Sequence, residues 1–440
     1  MTLTIDGLSV WLPTRGTVLA SVSAELTGVT LVVGRNGRGA STLLRALAGR
    51  LMLGARVTGR VDLDGHAVLG LTAQELAGAV DSSQLADDPG ASRQQAAERL
   101  ERALSNREAR VLVLDQPLAD LAPERRPAAL AAIRERAAAG TVVVWADHLV
   151  EEALPACDQV LEILAPDRIE QVQRASWVPR TLPAPPGLAL ARAMNGEVSA
   201  DGSPGLAGLI PHLRDQRRVA GDRLTTAAPE VTRLDRPLDL SDGVCLGIVS
   251  AEGDREAEVD LARRLVAVAR GEAFLAEPLA VPRAARVGAL VRGWERRHRL
   301  APGSVAAHVD PLARLDADRA VDRHSPGERA ALTWGLALSR PGARLLIEPT
   351  RGMDPAARRH VARTLHDEPR AFTCLVSSDV EVLTRACHRI VVIGDGAIVA
   401  DGAPLTVLDR LPHQPELARL GARAIRVRDL VPTTTEVALR

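Results

Sequence analysis

VTLVVGRNGRGAST, residues 29–42, decides the reading of this chain. Val29 to Gly34 is a short apolar run, the pattern of a strand buried on both faces. A glycine-rich turn follows, and Ser41-Thr-Leu-Leu-Arg-Ala-Leu-Ala opens a helix. A phosphate-binding loop in this setting reads G-x-x-x-x-G-K-[ST]. Its glycines let backbone N–H groups close around phosphate oxygens, and the helix N-terminus adds positive potential. Gly34, Asn36, Gly37, Gly39, Ser41 and Thr42 keep the pattern. Ser41 stands where a hydroxyl ligand to Mg²⁺ belongs, but Ala40 stands where the lysine belongs.

Strand and helix patterns alternate outward from this turn. A helical stretch near Gln95 to Leu104 leads to the apolar strand Val111 to Asp115; a helix from Ala128 to Ala138 leads to the strand Thr141 to Trp145. Such alternation predicts a mostly parallel sheet with helices on both faces. The order then repeats: strand Val244 to Ser250, helix Glu256 to Arg264, helix Glu328 to Leu338, strand Arg344 to Ile347, strand Thr373 to Ser377 and strand Arg389 to Ile393. A chain of 440 residues suits two domains of ~200. We expect one over 1–170, a Pro/Gly-punctuated linker with one or two short helices over 171–224, a second domain over 225–408, and a tail over 409–440.

Composition narrows the classes of function. There are 55 basic and 55 acidic residues, so no global bias favours nucleic acid or an anionic membrane as the main partner. Every basic residue is arginine; there is no lysine and no tyrosine. Pressure from a GC-rich genome explains that usage, and a site that needs lysine cannot have one here. Cys157, Cys245, Cys374 and Cys387 form no CxxC pair and no zinc spacing, which reads as incidental thiols in a reducing cytosol. The first residues lack the charged and apolar regions of a signal peptide, and no apolar run approaches 18 residues. A membrane role is therefore expected to come through a partner.

Further motifs complete the pattern. Ala91-Ser92-Arg93-Gln94-Gln95 lies before Val-Leu-Val-Leu-Asp115-Gln116-Pro117, with Asp115 23 residues beyond Ser92, and His148 follows the next strand. In the second half His324-Ser325-Pro326-Gly327-Glu328-Arg329 precedes Leu345-Leu-Ile-Glu348-Pro349-Thr350-Arg351-Gly352-Met353-Asp354. Val391 to Gly402 ends the repeat. In these motifs the chain resembles the ABC ATPase family: its LSGGQ signature, its Walker B run hhhhDEP, its switch histidine and its LLDEPTRGLD segment. The likeness covers roughly residues 1–170 and 225–410. The tandem arrangement and the Arg-Gly-Met-Asp ending look most like the ATPase component of energy-coupling-factor importers.

The resemblance implies two P-loop NTPase domains, each with a helical signature subdomain. It also implies paired cassettes in which each nucleotide lies between the Walker loops of one half and the signature of the other. The first composite site would use Gly34 to Thr42, Asp115, Gln116 and His148 with Ser325, Gly327 and Glu328. Ser41 and Asp115 would hold Mg²⁺, and Ser325 and the Gly327 backbone would meet the γ-phosphate. Ala40 removes the cation that neutralises phosphate charge, and Gln116 replaces the glutamate that polarises water. Glutamine orients a water but takes no proton from it. Ser82 lies near the coupling-glutamine position with Gln84 displaced from it, and Ala122 replaces the D-loop aspartate. Two readings stay open for Arg35 and Arg38, replacement of the lysine or a solvent-facing role. Two also stay open for Trp11, stacking on adenine or ordinary packing, because the family register falls on Leu12.

At the second site Glu256 takes the lysine position and Ala257 that of the hydroxyl, with Gly253 kept and Glu252 and Asp254 beside it. Ile347 replaces the aspartate, Ser378 the histidine and Arg292 the coupling glutamine. Glu348 survives as a vestige. ATP and Mg²⁺ are expected at the first site and neither at the second. The expected role is an ATP-binding subunit of an energy-coupling-factor-like transporter with weak or no hydrolysis. It would be cytoplasmic, at the inner face of the cell membrane, on an integral membrane subunit and alongside an intact ABC ATPase, and would take no nucleic acid. The alternative is a catalytically dead pseudo-ATPase serving as scaffold or regulatory subunit.

Overall fold

The computed structural model describes residues 1–13, 15–68, 79–85, 93–119, 121, 123–193, 244–251, 255–270, 274–276, 281–367, 371–394, 397–411, 413–419 and 425. The chain divides into two compact units, one containing Met1–Pro185, the other taking up the chain at Pro186–Glu197 and including the whole second half.

The first unit has two sheets. Strands β1 (Leu3–Leu12), β2 (Gly16–Leu26), β4 (Arg56–Leu63) and β5 (His66–Ala67) form an antiparallel sheet in the order β2-β1-β4-β5. The strand patterns named from the sequence begin only at Val29, and the reason they miss β1 lies in its middle. Leu3 and Ile5 alternate inward, and then Leu8, Val10 and Leu12 do so one residue out of phase. The pairing register shifts between Ile5 and Leu8, at a bulge around Gly7, whose φ is 60°. Gly59 lies so close opposite that a Cβ there would meet the Gly7 carbonyl oxygen at 2.5 Å. A bulge of this kind breaks the period-2 signal that marks a strand.

The second sheet carries the phosphate-loop motif. β3 (Val29–Gly34), β6 (Val80–Asp81), β7 (Val111–Asp115), β8 (Val142–Ala146), β9 (Gln159–Ala165) and β10 (Arg168–Gln173) run in the order β10-β9-β3-β8-β7-β6. Only the β9–β10 pair is antiparallel. The helix Ala40–Leu47 buries Leu43, Leu44 and Leu47 in a core shared with β1, β2 and β3.

The second unit repeats this sheet. β11 (Cys245–Ser250), β12 (Phe274–Ala276), β13 (Arg344–Ile347), β14 (Thr373–Val376), β15 (Arg389–Gly394) and β16 (Ala397–Gly402) run β12-β13-β14-β11-β15-β16. Read from the other edge, this is the order of the first sheet strand for strand, again with only the last pair antiparallel. The helix Pro326–Ser339 is buried along nearly its whole length among the helices Val287–Arg297 and Ser304–Val309 and the sheet.

The segment after β10, assigned to a linker by composition, packs on the first unit as far as Thr181. A carboxylate holds it there. Glu162 on β9 is fully buried and accepts from the Trp177 indole N–H (2.9 Å), the Arg180 N–H (3.1 Å), and the Thr181 N–H and hydroxyl (2.7 Å each). Trp177 is itself 2% exposed. In the second unit, the helix Pro186–Ala193 is capped by Glu416, which accepts from the Gly187 N–H at 2.9 Å. The residues between 194 and 243 lie outside the described part of the chain, as does most of the tail. Glu162→Ala would take the acceptor from the buried Trp177 indole N–H and from three part-buried donors, and should lower stability by about 3 kcal/mol. Urea unfolding followed by tryptophan fluorescence measures it, and amide exchange should show residues 177–181 opening first.

Candidate functional site

The turn after β3 folds as the glycine spacing predicts. Gly37 and Gly39 take positive φ, 78° and 107°. Gly39 caps the helix Ala40–Leu47, and a Cβ on it would press on Val18 and Leu19 at 3.0 and 3.1 Å. Both the left-handed backbone and the close packing therefore require glycine. Gly34 ends β3 in the core, Asn36 and Thr42 are half-buried, and Arg38 is exposed while Arg35 is half-buried. Ala40 places a methyl group at the first helical position.

Two strands away, Asp115 closes the site. Its carboxylate accepts the Ser41 hydroxyl at 3.2 Å, so the two oxygens expected to share a cation are brought together. Hard oxygens in this pairing suit Mg²⁺, which takes few protein ligands and completes its shell with water and phosphate. Gln84 is the residue that spacing alone misplaces. Its amide binds the Asp115 backbone on both sides, donating to the carbonyl at 3.1 Å and accepting the N–H at 2.8 Å. The β6–β7 register shows why: Asp81 lies opposite Leu112, and three residues further on Gln84 comes beside Asp115. Counting along that strand pair is the signal that finds it.

Gln116 follows at φ 55°, with its N–H donated to the Ala146 carbonyl at 2.7 Å. Glu348 in the second unit does the same at φ 45°, donating to Val376 at 2.9 Å. These matched bonds align the halves: Asp115 with Ile347, Asp147 with Ser377, and His148 with Ser378.

No protein-family model matches the chain. An ABC transporter ATP-binding protein of Streptomyces coelicolor is 33% identical over 172 residues, 38% of this chain and 29% of its own length. An ATP-binding protein assigned to ribose, galactose and methyl galactoside import in Rhizobium meliloti is 27% identical over 339 residues, 68% of this chain and 65% of its own length. The chain thus spans less than two thirds of each of these relatives. Among solved structures, an RNase-L inhibitor matches 95% of this chain and 93% of its own with a TM-score of 0.52 at 16% identity, a likeness of fold. The chain has the fold of two ATP-binding cassettes in tandem.

The two cassettes differ in how their sites are built. In the second, Ile347 is 5% exposed in an apolar cluster with Val376 and Leu246, where the first cassette has its half-buried aspartate. Residues 252–254 lie outside the described part, so Glu252, Gly253 and Asp254 are not placed; Glu256 is exposed at the start of the helix Arg255–Arg270. Glu258, in the register of Thr42, is 5% exposed and accepts the Ser250 N–H at 2.7 Å. Its carboxylate thus satisfies the backbone where the phosphate loop would begin. Glu348 accepts the Ser377 hydroxyl at 3.2 Å and the Ser378 N–H at 2.9 Å, which ties it to the turn after β14.

Ser325 to Glu328, the expected signature residues, form a helix start. Ser325 and Glu328 make a reciprocal capping box: the Ser325 hydroxyl accepts the Glu328 N–H at 3.3 Å, and the Glu328 carboxylate accepts the Ser325 N–H at 2.7 Å. Gly352 packs on this start so closely that a Cβ would meet Pro326 at 2.8 Å, and Gly327 is buried beneath it. In the first cassette Ser92 and Ala122 lie outside the described residues, and of Arg93 and Gln94 only the helical backbone is described. Trp11, on β1, is 37% exposed and has the Arg56 guanidinium over its ring at 5.2 Å, while Leu12 is buried.

His148 is half-buried, and the side chain before it supplies a feature not foreseen from the motifs. Asp147 is buried and accepts from the Leu118 N–H (3.1 Å), the Trp145 indole (3.2 Å) and the Leu149 N–H (2.9 Å). Burial nevertheless outweighs these three donors and the nearby Arg126, and raises its pKa to about 6. The folded state therefore holds a proton that the unfolded state releases near 3.8. Stability should fall by about 3 kcal/mol as pH rises from about 4 to about 6 and level off above. The difference in urea midpoint between wild type and Asp147→Asn across that window measures it, since the variant lacks this slope.

Proposed function

We propose that the chain is the ATP-binding subunit of an ABC-type transporter and that its first cassette takes the nucleotide. The observation that carries this reading is the Ser41–Asp115 contact at the mouth of the glycine turn. Bound Mg²⁺ would neutralise phosphate charge, held by those two oxygens. The backbone N–H groups from Asn36 to Thr42 cradle the phosphates, and Gln84 fixes the Asp115 backbone. In this reading Ser325, Gly327 and Glu328 serve nucleotide recognition as the family's signature does. Hydrolysis is weak or absent, because Ala40 offers no cation and Gln116 no base. The Arg351-Gly352-Met353-Asp354 ending and the tandem arrangement support an energy-coupling-factor-like role on a membrane subunit, with an intact ABC ATPase as a further partner and a place at the inner face of the cell membrane. No helix of the described residues is long and apolar enough to cross a membrane, which fits attachment through a partner.

The second cassette supports a scaffold. Its aspartate position is an apolar core residue, and its carboxylates Glu258 and Glu348 are committed to backbone and hydroxyl donors of the same cassette. A pseudo-ATPase serving only as scaffold or regulatory subunit is the second reading, and it holds for the whole chain if the first cassette proves empty. Titration of the purified full chain with a fluorescent ATP analogue and Mg²⁺ decides between them. One saturable site is expected. Asp115→Ala should weaken it at least about tenfold, a loss of ~1.4 kcal/mol or more. No signal at millimolar nucleotide would leave the scaffold reading.

A further inference from the structure

The balanced charge of the whole chain conceals one strongly asymmetric surface. Between residues 281 and 303 there are six arginines and one acid. The acid, Glu295, is buried and accepts the Val305 N–H at 3.2 Å. The arginines, Arg283, Arg286, Arg292, Arg296, Arg297 and Arg299, are all exposed. Most lie on or beside the helix Val287–Arg297, which turns Val287, Gly288 and Glu295 inward. Its outer face reads Ala289, Arg292, Gly293, Arg296 and Arg297, a row of cations separated by small residues. None of the six forms an ion pair with a described residue.

The end of the helix gives a second, independent sign. The Leu300 N–H reaches back to the Glu295 carbonyl at 2.9 Å and the Arg299 N–H to the Arg296 carbonyl at 3.2 Å. This is the Schellman closure, in which the residue in the place of Arg299 takes the left-handed conformation and is usually glycine. Arg299 takes it at φ 54°. A side chain there is disfavoured, so its guanidinium is held at the end of the row against the local backbone preference. The neighbouring His298 has its pKa lowered by burial, then by Arg340 and Arg297, in keeping with a local excess of positive charge.

We propose that this face of the second cassette rests on an anionic phospholipid surface. The contact is electrostatic, since the face offers cations and no apolar anchor. A planar array of phosphates matches a straight row of arginines with alanine and glycine between them. Single-stranded nucleic acid fits less well. Single strands are gripped by stacking platforms, and the one aromatic of this stretch, Trp294, is turned away from the row. Its indole N–H donates to the Ser339 hydroxyl at 3.3 Å, and its ring lies against His298 at 4.2 Å. The proposal stands independently of whether the first cassette binds ATP.

Co-sedimentation of the full chain with vesicles tests it. We expect binding to phosphatidylcholine vesicles containing phosphatidylglycerol, none to phosphatidylcholine alone, and loss at high salt. Each arginine removed should weaken binding about fivefold. Arg299→Gly gives the sharpest outcome, because it should raise the melting temperature by relieving the left-handed residue and still weaken vesicle binding. The triple variant Arg292→Gln, Arg296→Gln, Arg297→Gln should fold and fail to sediment. Equal binding to neutral vesicles, undiminished binding by the triple variant, or capture of RNA with no binding to anionic vesicles would overturn the proposal.

Discussion

One backbone hydrogen bond in each cassette sets the geometry of everything around it. At the end of β7 the Gln116 N–H crosses to the carbonyl that ends β8, and at the end of β13 the Glu348 N–H does the same to β14. Each bond extends the parallel ladder one step beyond the strand. The chain can then turn away only if that residue takes a left-handed conformation, at a cost of about 1–2 kcal/mol for a side chain that is not glycine. Neither position is glycine, and both are left-handed. The bond also fixes the preceding residue at the mouth of the glycine turn, which is why Asp115 meets Ser41. It brings the following turn against the end of the next strand as well, where Asp147 receives the Leu118 N–H.

On this shared frame the two cassettes distribute negative charge differently. The first has the neutral Gln116 on one strand end and the buried Asp147 on the next; the second has Glu348 and then Ser377. In both, a carboxylate accepts backbone and side-chain donors at the junction, but it is supplied from opposite strands. The junction therefore keeps one acceptor for its donors even where the strand-end residue is the neutral Gln116. This is a structural reason for Glu348 to persist next to Ile347: its removal would leave the Ser378 N–H and the Ser377 hydroxyl without their acceptor. Persistence of that glutamate is accordingly no sign of hydrolysis in the second cassette.

The features legible in the sequence were those carried by fixed local spacing. The glycine turn, the strands ending at Asp115 and Ile347, and the helix after Ser325 depend on short-range backbone requirements, and glycine, apolar runs and capping residues announce them. The features that escaped depend on pairing between distant segments. β1 was hidden by its bulge at Gly7, and Gln84 was misplaced because its position is set by the register of β6 on β7. The hold of Glu162 on Trp177 and Thr181 was hidden because a proline-rich stretch reads as linker whether or not a buried carboxylate pins its start.

Composition misleads in a related way. The absence of lysine explains Ala40 only as far as excluding one residue; it leaves open what replaces the lost function. In the first cassette the pair Ser41 and Asp115 is retained around the gap. In the second, a carboxylate, Glu258, satisfies the strand-end N–H of Ser250. A backbone donor that has acquired an internal acceptor no longer stabilises a bound phosphate, and reversing that takes more than restoring one cation. Ala40→Lys meets a frame that still presents its oxygens. Glu256→Lys would find no aspartate in the second cassette, where Ile347 lies in an apolar cluster and Glu258 is already bonded. On the proposed reading the two positions are therefore physically unequal: Ala40 leaves one charge missing beside the Ser41–Asp115 pair, whereas Glu256 goes with an Ile347 that is part of the core.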